Sequence, residues 1–361
     1  MRIGIGALVG IVGGPATYAR ELVSGLARLG GHEYVVFTDR PEQFDGVDVA
    51  CVHVPLASTL HQVTLDHARL PSLLGARGID LYHGTKNVLP WRLGIPGVVT
   101  VHDLAVYACP ETFAWPQRLH FRLTVPSSVA RAARVITDSR HAQGDLVARF
   151  GVDPARVTVV PLAVPASLAT PPAPHEVAAV RERFGLGPRL VACVGTVQPR
   201  KHVERVIEAF TVAGGPARGW ELVVAGRLRP GYRPRWLDAL PPGVRWLGPL
   251  DDASLRALYA AAEVAMSASE YEGFGLTVLE AMASGCATIA PGLTSVPEVA
   301  GDAALLVPRS EARLLADALE RLLDDPAERA ALAARGRRRA AEFTWEATAR
   351  GTRRVYEEVA G

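Results

Sequence analysis

A pattern of strand, turn and helix repeats along the chain and starts afresh after a proline-rich stretch. Residues 2–8 form an apolar strand that runs into a glycine-rich turn, and residues 17–29 then carry apolar side chains at helical spacing. Because parallel strands need long crossover connections, this order of elements predicts a parallel sheet with helices on both faces. Further strands of the first half are predicted at residues 34–38, 79–83, 97–102, 134–138 and 157–162.

Prolines at 165, 171, 172 and 174 indicate a linker, after which a second series of strands and helices begins. Its predicted strands are 190–195, 221–225, 244–247, 264–267 and 286–290, with helices at 203–213, 254–262 and 276–284 and a long helical region at 311–342 broken at Pro326. The predicted fold is α/β, with two Rossmann-like doubly wound domains facing each other across a cleft. Open sheets of this kind bind ligands at the carboxyl ends of their strands, so we expect the chemistry in the cleft.

The composition agrees with two globular domains and excludes several classes. With 361 residues, 49% hydrophobic and 21% charged, the chain has material for two sizeable cores. A net charge of +2 is too small for a general nucleic-acid binder. The four cysteines form no CxxC pair, which predicts neither a zinc site nor a disulfide framework and favours a reduced cytoplasm. No apolar run reaches the length of a membrane-spanning helix.

Lysine is exceptional in this chain, since only Lys86 and Lys201 occur among 39 basic residues. Lys201 follows Arg200 on the loop after a predicted strand, in the segment VGTVQPRK. Two adjacent cations at that position are suited to neutralise a diphosphate, with the arginine as a fork and the lysine as a point charge. A solvated basic helix cap is the alternative interpretation. Lys86 follows a strand of the first half, and we expect it on the opposite side of the cleft.

The segment EYEGFGLTVLEAM carries two carboxylates, Glu272 and Glu280, around a tight glycine turn. If a helix begins near Leu276, Glu272 lies on the loop over its N-terminus and Glu280 projects from its second turn. One carboxylate can then accept hydrogen bonds from sugar hydroxyls and the other from a ribose, while the amides of residues 273–276 meet a phosphate. A solvated acidic helix start is the alternative.

Two weaker candidates lie in the first half. Gly13 and Gly14 belong to the glycine-rich turn after the first strand, where the backbone can approach an anionic ligand, although a plain tight turn explains them equally well. His102 ends a strand and can hydrogen-bond a ligand in the cleft, or can be a satisfied core histidine. No DxD motif occurs, so a carboxylate-held metal is not expected.

These residues resemble glycosyltransferase family 4, a group of retaining enzymes, over nearly the whole chain. The resemblance is carried by the segment from Glu272 to Glu280, the N-terminal glycine turn, and the segments at 194–210, 244–262 and 295–308. The segments TVHDL, VITDS and VTVVPLAV are similar to its bacterial mannosyl- and rhamnosyltransferase-like branch. The resemblance implies a GT-B fold, a donor held mainly by the second domain, and no metal requirement.

The resemblance also implies roles and boundaries. Residues 1–170 would form the acceptor-side domain, joined by a C-terminal crossover helix at 345–361, and residues 177–344 the nucleotide-sugar domain. Three positions depart from the family pattern: Thr196 stands where many members have arginine, Ala163 replaces a common glycine, and Ser269-Glu270 adds a carboxylate beside the donor site. In the second domain, the resemblance implies that Arg200 and Lys201 bind the diphosphate, Glu272 binds the transferred sugar and Glu280 binds the ribose. Further donor contacts are implied for Gly273, Phe274, Gly275 and Leu276. In the first domain, Gly13 and Gly14 would close over the phosphate, and His102 would lie near the reacting sugar.

We therefore predict a retaining, metal-independent glycosyltransferase that moves a hexose-type sugar from a nucleotide diphosphate sugar to a hydroxyl of a glycan, a lipid-linked glycan or a small molecule. A nucleotide-sugar epimerase on the same fold and a non-catalytic nucleotide-sugar-binding protein are the alternatives. The donor base, the sugar, the acceptor and the oligomeric state stay open.

A cytoplasmic location is predicted, with peripheral contact at the inner face of the membrane as a further hypothesis. Residues 115–134 interleave Arg118, Arg122, Arg131 and Arg134 with Trp115, Leu119, Phe121 and Leu123, which suits an interfacial helix. Pro126 interrupts this pattern, and an ordinary solvated helix face is the alternative.

Overall fold

The computed structural model describes residues 1–8, 14–55 and 69–361. The chain divides into two compact units. The first unit comprises Met1–Leu162 together with Thr344–Gly361, and the second comprises Ala163–Phe343. Each is built on its own parallel sheet with helices, which confirms the predicted α/β class.

The first unit holds a seven-stranded sheet in its described residues, with strand order β3-β2-β1-β4-β5-β6-β7 and every pairing parallel. Its central strands are buried on both faces, as a covered parallel sheet requires. The strands are β1 (Arg2–Ala7), β2 (Glu33–Thr38), β3 (Ala50–His53), β4 (Leu81–Gly84), β5 (Gly97–Thr100), β6 (Arg134–Thr137) and β7 (Val157–Val159), and the helices are α1 (Gly14–Leu29), α2 (Leu70–Ala76), α3 (Ala105–Ala108), α4 (Trp115–Arg131) and α5 (Arg140–Phe150).

The second unit holds a six-stranded parallel sheet in the order β10-β9-β8-β11-β12-β13. Its strands are β8 (Leu190–Val194), β9 (Glu221–Ala225), β10 (Val244–Gly248), β11 (Val264–Met266), β12 (Ala287–Pro291) and β13 (Leu305–Val307). Its helices are α6 (Ala166–Ala169), α7 (Pro174–Phe184), α8 (Val203–Val212), α9 (Asp252–Ala261), α10 (Leu276–Ala283), α11 (Val296–Ala300), α12 (Ala312–Asp324) and α13 (Pro326–Ala340). The break between α12 and α13 falls at Pro326, as predicted.

The stretch predicted as a linker is not irregular throughout, since it contains the short helix α6 and the first residue of α7. Helix α6 packs against α9 and α10, which places residues 163–170 in the second unit rather than the first. Pro174 opens α7 instead of breaking a helix, because a proline at the first helical position lacks only an N–H that has no intrahelical partner.

The edge strands β3 and β13 lie outside the predicted set of strands. In β3 only Val52 is buried, and in β13 only Val307 is. At four and three residues, these two strands are too short for a pattern of period two to be recognised.

The last helix, α14 (Trp345–Ala360), belongs to the first unit and lies along α1. The two helices approach closely at Gly25, where a Cβ atom would stand 2.9 Å from the Cβ of Ala349. Its Tyr356 is fully buried, with its hydroxyl 2.6 Å from Nδ1 of His83 on β4. This contact joins the last helix to the seven-stranded sheet, which also contains the first strand of the chain. No helix in the described ranges is both long and apolar enough to cross a membrane.

Candidate active site

The loops after β8 and β9 touch each other at two glycines. Gly195 and Gly226 have φ angles of 138° and 148°, and a Cβ atom on Gly226 would stand 1.9 Å from the carbonyl oxygen of Gly195. Beyond this contact the N–H of Val197 donates to the carbonyl of Arg227 at 2.8 Å. Only glycine allows this approach, so the loop that carries Arg200 and Lys201 leaves the sheet in one fixed direction.

Arg200 and Lys201 lie in a short 3₁₀ turn, Pro199–Lys201, and both side chains converge on Glu272. Nη1 of Arg200 stands 3.4 Å from Oε2 of Glu272 and also donates to the carbonyl of Tyr271, while the Lys201 ammonium pairs with Oε1 of Glu272. Little of the three charged side chains is exposed. The structure therefore brings together three residues predicted from two motifs that lie 71 residues apart.

Glu272 is held at both its backbone and its carboxylate. Its N–H donates to Oγ1 of Thr294 at 3.0 Å, and the hydroxyl of Ser295 donates to its carbonyl at 2.8 Å. Although burial favours the protonated acid, the charges of Lys201 and Arg200 lower the pKa of Glu272 to about 2. It is thus an ionised acceptor of hydrogen bonds at neutral pH. Thr294 and Ser295 were not predicted, because hydroxyls 22 and 23 residues away show no pattern in the sequence.

Helix α10 begins at Leu276, where the sequence placed it, directly after Gly275 with a φ of 95°. Phe274 is buried and packs edge-on against Phe343 at a centroid distance of 5.7 Å. The aromatic contact anchors the turn, and the left-handed glycine lets the chain enter the helix at once. The first amides of α10, which have no partner within the helix, begin four residues after Glu272.

Glu280 is buried in the second turn of α10 and accepts a hydrogen bond from the hydroxyl of Tyr259 at 3.3 Å. Burial raises the pKa of Glu280 to about 7, against a smaller opposing effect from Tyr259 and from the charge of Lys201. The two carboxylates therefore have opposite electrostatic environments. Tyr259 lies on α9 and was not predicted as a site residue. In an apolar helical pattern, a tyrosine of the site looks the same as a tyrosine of the core.

A third cation, Arg229, lies on the loop after β9 close to Arg200. Its Nη1 donates to Oε1 of Gln198 at 3.0 Å, and burial together with the Arg200 charge lowers its pKa. The sequence shows arginines at 227, 229, 233 and 235, and nothing in that run indicates which one turns toward Arg200. This residue was missed.

Glu270, expected as an extra carboxylate beside the donor site, has other partners. It pairs with Arg205 and with Nε2 of His202, the latter at 3.0 Å, and its side chain is 43% exposed. Glu270 therefore forms ion pairs with Arg205 and His202 at the surface, separate from the ion pairs of Glu272.

His102 and Gly14 belong to the first unit, and Gly13 lies outside the described residues. His102 follows β5, with Nδ1 2.8 Å from Oδ2 of Asp138 and Nε2 2.9 Å from the carbonyl oxygen of Thr85. A carbonyl only accepts, so Nε2 carries a proton. Although burial disfavours the cation, the charge and hydrogen bond of Asp138 raise the pKa of His102. Gly14 is the first residue of α1.

The first unit also contains a cavity of about 520 Å³ beyond the carboxyl ends of β1 and β4. Its polar lining includes Thr85, Lys86, Gln117 and His120. Burial, and then the charge of Lys86, lower the pKa of His120. The one lysine in the sequence of this unit therefore lines the cavity.

Comparison with known proteins agrees with this architecture. The family model described as Glycosyltransferase Family 4 matches residues 12–168, and that described as Glycosyl transferases group 1 matches residues 188–325. O-antigen chain mannosyltransferase B of Escherichia coli is 30% identical over 279 residues, covering 74% of this chain and 71% of that protein. The MMP alpha-(1->4)-mannosyltransferase of Mycolicibacterium hassiacum is 31% identical over 405 aligned positions, covering 96% and 95%.

Two solved structures share the fold at low identity. HepE of Anabaena, solved with UDP and glucose, has a TM-score of 0.79 at 18% identity and covers 99% of this chain and 100% of that one. WaaG, a glycosyltransferase involved in lipopolysaccharide biosynthesis, has a TM-score of 0.73 at 19% identity and covers 98% of each chain. The fold and the matched sequence together define a glycosyltransferase of the GT-B type. Within that class, the chain belongs to glycosyltransferase family 4.

Proposed function

We propose that the protein transfers a hexose-type sugar from a nucleotide diphosphate sugar to an acceptor hydroxyl, with retention at the anomeric carbon and without a metal ion. The observation that carries the proposal is the convergence of Arg200 and Lys201 on Glu272 at the start of α10. Fixed cations beside free helix amides suit a diphosphate, and an ionised carboxylate suits sugar hydroxyls. The relatives named as mannosyltransferases support a hexose donor.

The reaction breaks the bond between the anomeric carbon and the donor's phosphate oxygen and forms a bond from that carbon to the acceptor oxygen. Negative charge grows on the leaving diphosphate as the first bond breaks. Arg200, Lys201 and Arg229 stabilise that charge more in the transition state than in the bound donor, which lowers the barrier. With these cations in place we expect no requirement for a divalent metal.

The acceptor proton goes to the departing phosphate oxygen in our proposal, with attack on the face that the leaving group vacates. Glu272 then positions and polarises the transferred sugar, and Glu280 accepts from the ribose hydroxyls. His102 lies near the reacting sugar in this proposal, and the turn of Gly13 and Gly14 contacts the donor phosphate. Four cysteines with free thiols suit a cytoplasmic reaction.

A screen of guanosine, uridine and thymidine diphosphates and their sugars by thermal shift identifies the donor, because a bound donor raises the melting temperature with occupancy. Transfer is then assayed with that donor and an acceptor panel, with and without a metal chelator. We expect product with the anomeric configuration of the donor, unaffected by chelation. Free epimerised donor in the absence of acceptor would instead identify an epimerase, and donor binding without turnover on any acceptor would identify a binding protein.

A further inference from the structure

Helix α4 exposes a stripe of large apolar side chains. Trp115, Leu119 and Leu123 are 72%, 51% and 63% exposed. Residues four apart on a helix differ by about 40°, so the three side chains form one continuous strip along α4. In the described part of the chain only seven large apolar residues are exposed, and this one helix holds three of them. Scattered exposed apolar residues are ordinary, but an aligned strip marks an interaction surface.

Within α4, the charge beside the strip is entirely positive. Arg118 and Arg122 each precede a residue of the strip, and α4 contains no aspartate or glutamate, although the chain has 37 acidic residues. No carboxylate of the described residues pairs with either guanidinium. We define Trp115, Arg118, Leu119, Arg122 and Leu123 as the α4 surface.

The α4 surface is narrower than the sequence predicted. Phe121 turns inward and lines the cavity of the first unit. Arg131 donates to the carbonyls of Pro90 and Leu89, and Nε of Arg134 stands 3.6 Å from Oε2 of Glu358 on α14. These three side chains therefore make contacts within the first unit and do not belong to the exposed strip. Pro126 lies inside α4, after the last residue of the strip, and the helix continues past it.

The helix does not need the strip for its own packing. Its buried residues, Thr124, Val125, Ser128 and Val129, lie in its second half. The cavity is lined by four residues from the first half of the helix: Pro116, Gln117, His120 and Phe121. On the helical wheel, the mean direction of these four residues is about 130° from that of the strip. One wall of the cavity is therefore a helix whose other side is apolar and basic.

We propose that the α4 surface docks on an anionic lipid bilayer. Tryptophan and leucine side chains enter the boundary between headgroups and acyl chains, and arginines beside them bind anionic headgroups. A strip with cations and no carboxylate fits a uniformly negative surface better than a protein partner, whose surface mixes both charges. Resting on the proposed function, the same arrangement places the Lys86 cavity at the membrane, where it suits the anionic head of a lipid-linked acceptor.

Co-sedimentation of the full chain with vesicles tests the docking without any catalytic readout, so its outcome is independent of the proposed transfer reaction. The vesicles are phosphatidylcholine alone or mixed with phosphatidylglycerol, at low and high salt. The variants are W115Q/L119Q/L123Q and R118Q/R122Q, and the matched control is V212Q/L240Q, which changes exposed apolar residues of the second unit. Thermal melting of each variant verifies that it is folded.

We expect the wild-type chain and V212Q/L240Q to sediment with phosphatidylglycerol vesicles at low salt and to be released at high salt. The triple variant should lose at least about tenfold in partitioning, and R118Q/R122Q should lose its preference for the anionic vesicles. Absence of wild-type binding at low salt would overturn the proposal, as would equal binding by a folded triple variant. A dimer of the wild-type chain that the triple variant abolishes, without vesicle binding, would assign the strip to a second copy instead.

Discussion

Lys201 and Glu272 form a nearly buried ion pair that joins the loop after β8 to the start of α10. Because Arg200 reaches the same carboxylate, the pair belongs to a group of charges in which removal of one member leaves another uncompensated. The proposed donor site is therefore one electrostatic unit.

That coupling predicts non-additive effects of substitution. Lys201→Met and Glu272→Gln should each lower kcat/KM by at least about 100-fold, because each removes an interaction that strengthens in the transition state. The double variant should lose much less than the product of the two single losses. Steady-state kinetics of the three variants measures this, with Arg309→Ala as a control that removes an exposed cation of the same unit. Full activity of both single variants would sink the assignment of the site.

Arg229 should contribute to donor binding although it lies outside the motifs. Arg229→Leu removes the third cation of the site, so we expect the KM for the donor to rise about tenfold with a smaller change in kcat. Arg233→Leu is the matched control, since Arg233 lies on the same loop with a side chain that is 68% exposed and paired with Asp238. Equal KM values for the two variants would show that Arg229 does not contact the donor.

Glu280 should make stability fall as the pH rises. Its pKa is 4.5 in the unfolded chain and about 7 in the folded one, so between these values the folded state binds more protons and is destabilised by their loss. Glu280→Gln keeps the acceptor for Tyr259 and removes the titration. The variant should gain on the order of 3 kcal/mol relative to the wild type between pH 4.5 and pH 7.

Calorimetric melting across that pH range measures the difference. Glu208→Gln, at an exposed position of α8, controls for the loss of one negative charge. A wild-type chain and Glu280→Gln with parallel stability curves would contradict the raised pKa.

The contact between His102 and Asp138 should hold the histidine protonated above its ordinary range. In Asp138→Asn the pKa of His102 should fall below the wild-type value, because the carboxylate charge is gone while burial stays. In the wild type this raised pKa stabilises the fold at low pH, and the contribution is lost as the pH rises from 6.5 through the folded pKa.

NMR titration of the His102 ring, assigned with His102→Gln, measures both proteins. His83 provides an internal reference, because burial lowers its pKa to about 3 and its ring should stay neutral through the titration. A His102 resonance that titrates identically in wild type and Asp138→Asn would remove the electrostatic role of the contact.

Much of the architecture was predictable from the sequence, because the period of apolar residues reports local conformation. The alternation of strands and helices, the start of α10 at Leu276 and the break at Pro326 follow from spacing and from the backbone limits of glycine and proline. The edge strand β3 and the helical content of residues 163–176 did not follow, because tertiary packing rather than periodicity decides them.

The candidate site divides in the same way. The sequence alone predicted which residues carry the chemistry, since Arg200, Lys201, Glu272 and Glu280 lie in two short motifs, each of which follows a strand. Only the tertiary structure decided that three of them share one ion-pair group, that Tyr259 bonds the buried Glu280, and that Arg229 rather than a neighbouring arginine approaches Arg200. Contacts between residues that lie tens of positions apart depend on the order of the strands in the sheet, and the local sequence pattern does not specify that order.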